Sequence, residues 1–196
     1  MNKTKRVSKT NEQREERLGE TFVNQMGSVF FIKEYYDAKN IVAKFTDEHG
    51  AEVHTTYQHC KSGKVKNPYD RTVFGVGCIG EGDFKTSVNG KLTREYALWK
   101  QMINRCYSGN YPTYANVTVC DRWLVYANFL EDLPHIENYE WWLENPNQRI
   151  ALDKDLKQQG IENKVYSLET VMFVSASENS KEVRSRKGST DEVEPF

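Results

Sequence analysis

The chain has 196 residues and a formal net charge of -1, with 38% hydrophobic and 28% charged side chains, enough for one moderate domain or two small ones. No apolar run approaches the roughly 20 residues of a membrane-spanning helix, and none follows the basic start at Lys3, Lys5, Arg6 and Lys9, which argues against a secretory signal. Cys60, Cys78, Cys106 and Cys120 include no C-x-x-C pair, which argues against a structural zinc site and for reduced thiols in a cytoplasmic protein with no membrane partner.

Residues 1–18 are polar, with six basic residues against three acidic ones, and read as a flexible basic arm or a frayed helix around residues 11–18. Residues 19–74 read as a small β-rich domain. Residues 28–32 are β-branched and aromatic, residues 40–45 partly alternate, and the turn Asp47-Glu48-His49-Gly50 leads into residues 51–57. Three or four short strands with tight turns predict a small barrel-like unit or a strongly bent sheet. A basic turn over residues 61–68 follows, where Gly63 and Pro68 forbid a long helix. The glycines of residues 75–82 invite a phosphate-loop reading but lack the Gly-Lys-Ser/Thr ending. The stretch therefore reads as a connector between two halves.

Residues 83–180 read as an α+β domain. Asn89-Gly90 favours the positive backbone angles of a tight hairpin. Tyr96, Trp99, Ile103 and Cys106 recur at helical spacing with Thr93 placed as a cap. Trp123, Tyr126, Ala127 and Leu130 mark a second helix with Asp121 as its cap. These aromatics read as core rather than as base-stacking platforms, and Arg94, Lys100 and Arg105 fall off the apolar stripe of the first helix. Strands at residues 149–152 and 170–174 flank Asp153-Lys154-Asp155 and a polar loop. Residues 181–196 read as a disordered tail.

Several fragments carry a likeness in a fixed order. They are Lys66-Asn67-Pro68-Tyr69 and Phe74-Gly75-Val76-Gly77-x-Ile79-Gly80, then Tyr96-x-x-Trp99-x-x-Met102-x-x-Arg105-Cys106 with Tyr114, Val119, Trp123 and Phe129. Leu152-Asp153-Lys154-Asp155, Asn163-Lys164-x-Tyr166-Ser167 and Phe173-Val174 complete the set. Over residues 19–180 this pattern resembles a group of phage proteins related to HNH homing endonucleases. The resemblance implies a C-terminal degenerate ββα-like module, with Asn163 as its loop asparagine and Ser177-Glu178-Asn179 as the start of its helix. It also implies a departure. HNH chemistry needs a histidine general base and ligands for a divalent metal, yet Asp153-Lys154-Asp155 stands at the expected position and no histidine follows His135. Glu162 and Leu168 stand where the group tends to have Gly and Pro.

Three functions follow as expectations. The first is nucleic-acid binding, to double-stranded DNA or another nucleic acid, without efficient cleavage. Lys61, Lys64, Lys66, Arg71, Lys85, Lys91, Arg94, Lys100 and Arg105 would supply the phosphate contacts. The second is inhibition of a host defence protein, for instance a nuclease such as a CRISPR effector. Here Tyr139, Glu140, Trp141, Trp142 and Glu144 would form an acidic, aromatic docking surface. The third is Mg²⁺-dependent DNA cleavage through Asp153, Asp155, Asn163 and Glu169, since Asp153 and Asp155 would face the same way on a strand. The alternative for this pair is a turn after a buried strand.

Overall fold

The computed structural model describes residues 12, 14–175 and 177, and the chain divides into two compact units between Asp70 and Arg71. The expected tail, most of the expected arm and the helix start at residues 177–179, Ser177 excepted, lie outside the described residues. No helix among the described residues is long and apolar enough to cross a membrane.

The first unit is a four-stranded antiparallel meander, β1 (Thr21–Val23), β2 (Val29–Asp37), β3 (Asn40–Phe45) and β4 (Glu52–Thr55), paired in that order. Alternation turns Phe30 and Ile32 of β2 and Ile41, Ala43 and Phe45 of β3 to the buried face. A register shift between Ile32 and Glu34 changes the phase, so that Tyr35 rather than Glu34 continues that face. Helix α1 (Tyr57–Lys61) adds Cys60 to the same core and is capped by Thr56, whose hydroxyl accepts from the His59 amide.

The barrel-like expectation is corrected here. Among the described residues the sheet is open, because β1 and β4 pair with β2 and β3 and not with each other. Residues 14–17 are helical, the second of the two forms expected for this stretch, and Arg17 lies 3.8 Å over the Tyr57 ring and donates to the Tyr35 hydroxyl at 2.6 Å. Asn24 is buried, donating to Asp70 at 2.7 Å and accepting from the Met26 and Ser28 amides. Asn24→Ala leaves these groups without partners and is expected to cost about 2 kcal/mol. The reading is a lower urea midpoint at unchanged m value, followed by far-UV circular dichroism.

The second unit is mixed α+β. Its hairpin pairs β5 (Ser87–Val88) with β6 (Lys91–Leu92), and Asn89 and Gly90 take positive φ as the turn requires. Helix α2 (Arg94–Tyr107) starts at Thr93, whose hydroxyl accepts from the Tyr96 amide. Its buried face, Tyr96, Trp99, Met102 and Ile103, packs in one core with Trp123, Phe129, Tyr166 and Phe173. Helices α3 (Tyr126–Asp132) and α4 (Tyr139–Glu144) follow, with β7 (Val117–Val119) parallel to β9 (Lys164–Tyr166) and β8 (Ile150–Asp153) antiparallel to β10 (Met172–Ser175).

Two expectations change in this unit. The single helix expected around Trp123 is two pieces, a 3-10 turn at Asp121–Leu124 and then α3, and Asp121 makes no capping bond. The glycine-rich stretch is not a connector between units. Cys78 is buried, its amide donates to the Leu124 carbonyl at 2.9 Å, and its carbonyl accepts from Tyr126 at 2.9 Å. Gly77 and Gly80 serve close packing there, since a Cβ would lie 3.0 Å from the Trp99 ring and 2.7 Å from Val125 Cγ1 respectively.

Candidate nucleic-acid interface

Once the apolar side of α2 is buried, its other side is fixed by helical geometry. Arg94, Ala97, Leu98, Gln101 and Asn104 fall at spacings of three and four and share one face, with Lys100 at its margin. This face forms one wall of a groove of about 500 Å³. Trp142 of α4, Gln148 and Ile150 of β8 line the opposite side, and Phe74 and Leu92 contribute exposed apolar surface. Among the described residues, no acidic residue lines the groove. Phe74 has φ +51°, a left-handed conformation that bulky side chains rarely adopt and that the surrounding structure must hold in place.

Arg94 is the most constrained cation of the groove. Its guanidinium lies 3.7 Å from the centre of the Trp142 ring, and Nη1 donates to the Leu143 carbonyl at 3.4 Å. Burial pulls its pKa down from the ordinary arginine value, from a starting point so high that the group stays charged.

The nine cations expected to meet phosphate divide between the units. Lys61, Lys64 and Lys66 are exposed on the first, where Lys61 lines a separate cleft with Lys39 and His59. On the second, Arg94 and Lys100 share the α2 groove. Lys85 lies instead in a cleft with Asp83 and Glu95, Lys91 stands on the exposed hairpin, Arg71 is exposed, and Arg105 sits 6.0 Å from the Tyr114 ring. None of the nine forms an ion pair among the described residues, whereas Lys33, Lys44, Arg122, Lys154, Lys157 and Lys164 all do.

The carboxylates expected to share a cation are occupied otherwise. Strand β8 ends at Asp153, so Asp155 does not continue it and the same-face argument does not apply. Asp153 is buried, and its Oδ1 accepts from the Asp155 and Leu156 amides at 2.8 Å each, at the entry to a 3-10 turn over Leu156–Gln158. Asp155 is gripped by Lys154 at 2.9 Å and Lys164 at 2.5 Å. Glu169 is exposed and accepts from the Ser167 hydroxyl, and Asn163 is exposed. No group of three His, Cys, Asp or Glu among the described residues is placed to hold a metal ion.

The acidic, aromatic docking surface is also largely taken up inside the unit. Trp142 is 2% exposed and stacks on Phe173 with ring centres 5.0 Å apart, while Tyr139 packs beside it and Trp141 is half-buried. Only Glu140 and Glu144 of that set are exposed. Upstream, Glu131 and Asp132 are both engaged by Arg122. The four cysteines are free thiols, and burial pushes Cys60 and Cys106 up to about 11, which leaves them protonated and poor nucleophiles at neutral pH.

Gln101, Asn104 and Gln148 were not singled out from the sequence. The two amides of α2 were within reach of it, since the helical phase that buries Tyr96 and Trp99 exposes them. The strained Phe74 carries no comparable sequence signal. Comparison with protein-family models, curated proteins and solved structures gave no match at a significant level.

Proposed function

We propose that this protein binds nucleic acid through the α2 groove and lacks an efficient cutting centre. The observation that carries this reading is a groove holding Arg94 and Lys100 with, among the described residues, no acidic residue in its lining and no ion pair on either cation. An unpaired cation in such a groove attracts a polyanion, and each phosphate it neutralises releases a counter-ion. The likeness to phage proteins related to HNH endonucleases points to the same ligand class. The engagement of Asp155 by two lysines and of Asp153 by two backbone amides supports binding over metal-dependent cleavage.

Binding to labelled DNA is expected to weaken at least tenfold between about 50 and 200 mM salt. Lys100→Glu is expected to weaken binding on every sequence and to reduce the magnitude of the salt slope by about 1. Affinity that ignores both salt and this charge reversal would remove the groove from nucleic-acid binding.

A further inference from the structure

The α2 groove holds a feature that phosphate attraction does not explain. An arginine that only meets phosphate works best extended and mobile in reach, but the Arg94 guanidinium rests over the Trp142 ring. Phe173, Trp142 and Arg94 form a pile of flat groups, with ring centres 5.0 Å apart in the first pair and the guanidinium 3.7 Å from the indole centre in the second. A hydrogen bond of 3.4 Å from Nη1 to the Leu143 carbonyl is a second contact that keeps the guanidinium against the indole. One face is covered by Trp142, so the face a ligand can reach from the groove is a preformed, charged, planar platform. Its natural next layer is another flat π-system.

The rest of the groove suits a nucleobase as that layer. A groove of about 500 Å³ matches a single nucleotide in scale. The Gln101 side chain makes no hydrogen bond among the described residues, and the Asn104 side chain makes only a long one of 3.5 Å to the Tyr111 hydroxyl, so both amides have donors and acceptors to offer a base edge. Lys100 stands at the margin, where a phosphate would follow. In a duplex the base faces are stacked on one another, so only an unpaired base can present a face to Arg94.

We propose that the α2 groove takes an unpaired nucleobase stacked on the outer face of Arg94, which makes single-stranded nucleic acid the preferred ligand. This rests on the nucleic-acid reading above and narrows it. Arg94 supplies the platform, Gln101 and Asn104 meet the base edge, and Lys100 meets the backbone.

The test is fluorescence anisotropy of the full chain with three strands of about 12 nucleotides: single-stranded DNA, single-stranded RNA, and an abasic DNA strand of equal length and charge. Base-bearing strands are expected to bind about tenfold tighter than the abasic one, and the DNA and RNA arms show which sugar the groove prefers. Arg94→Lys keeps the charge but removes the plane, and should bring that ratio towards one. Because Arg94 also packs on Trp142, the exposed Gln101→Ala provides a second variant, which should reduce discrimination among oligo-dA, oligo-dC and oligo-dT. Equal affinity of the wild-type protein for abasic and base-bearing strands would overturn this proposal and leave polyanion binding intact. Failure to bind any of the strands would overturn both.

Discussion

Asp155→Ala is expected to destabilise the second unit by about 3 kcal/mol, a fall in Tm of roughly 10 °C. Lys154 is 6% exposed, and its ammonium lies 2.9 Å from one oxygen of Asp155 while Lys164 holds the other at 2.5 Å. Removing the carboxylate leaves the buried Lys154 ammonium facing the Tyr114 and Tyr166 rings, 4.5 and 5.9 Å away, with no carboxylate among the described residues paired to it. A cation–π contact returns only about 1–2 kcal/mol, less than the cost of an uncompensated buried charge. Adding Lys154→Met to Asp155→Ala should recover most of the loss, since an apolar side chain needs no counter-charge. All four tryptophans lie in the second unit, so tryptophan fluorescence follows its melting specifically. A single mutant that melts like the wild type would return Asp155 to the list of available metal ligands.

The same contact sets a pH dependence. Burial raises the pKa of Asp155, but hydrogen bonds from Lys164 and Lys154 outweigh it and hold the carboxyl below its ordinary value. A carboxyl depressed on folding contributes its full stability above the unfolded value of about 3.9 and loses it as pH falls through the folded value. The wild type should therefore lose stability below about pH 4 more steeply than Asp155→Ala.

Local chemistry was legible, and long-range pairing was not. The Asn89-Gly90 turn and the Thr93 cap of α2 follow from residues adjacent in sequence, and so does the face that carries Arg94. The opposite wall of the groove does not, because Trp142 and Ile150 arrive from segments some forty residues further on. Trp142 read as a surface anchor because glutamates surround it, yet Phe173, far along the chain, makes it core. The parallel pairing of β7 with β9 likewise depends on two three-residue strands too short to show a period. Asp153 and Asp155 looked alike until a strand end and a lysine nine residues downstream gave them different work. In the first unit the apolar run at residues 28–32 and the partial alternation at residues 40–45 were readable, but the β2 register shift that brings Tyr35 to the core was not.

Gly80→Ala is the second substitution with a large expected effect, about 3 kcal/mol. Gly80 has φ +75°, and a Cβ there would lie 2.7 Å from Val125 Cγ1 and 2.9 Å from Ala127 Cβ. Neither neighbour is the end of a flexible side chain, so the backbone must move. That movement would strain the hydrogen bonds by which Tyr126 and Ala127 donate to the carbonyls of Cys78 and Ile79. Gly75→Ala is the matching control, because Gly75 has the same φ of +75° but nothing within 4 Å of its Cβ position. It should cost only the left-handed penalty of about 1 kcal/mol. The difference between the two mutants, read from tryptophan-detected urea unfolding, isolates the packing of this segment against α3. Equal costs would mean that residues 75–82 hang loose, as a linker would, and that the turn entering α3 folds without them.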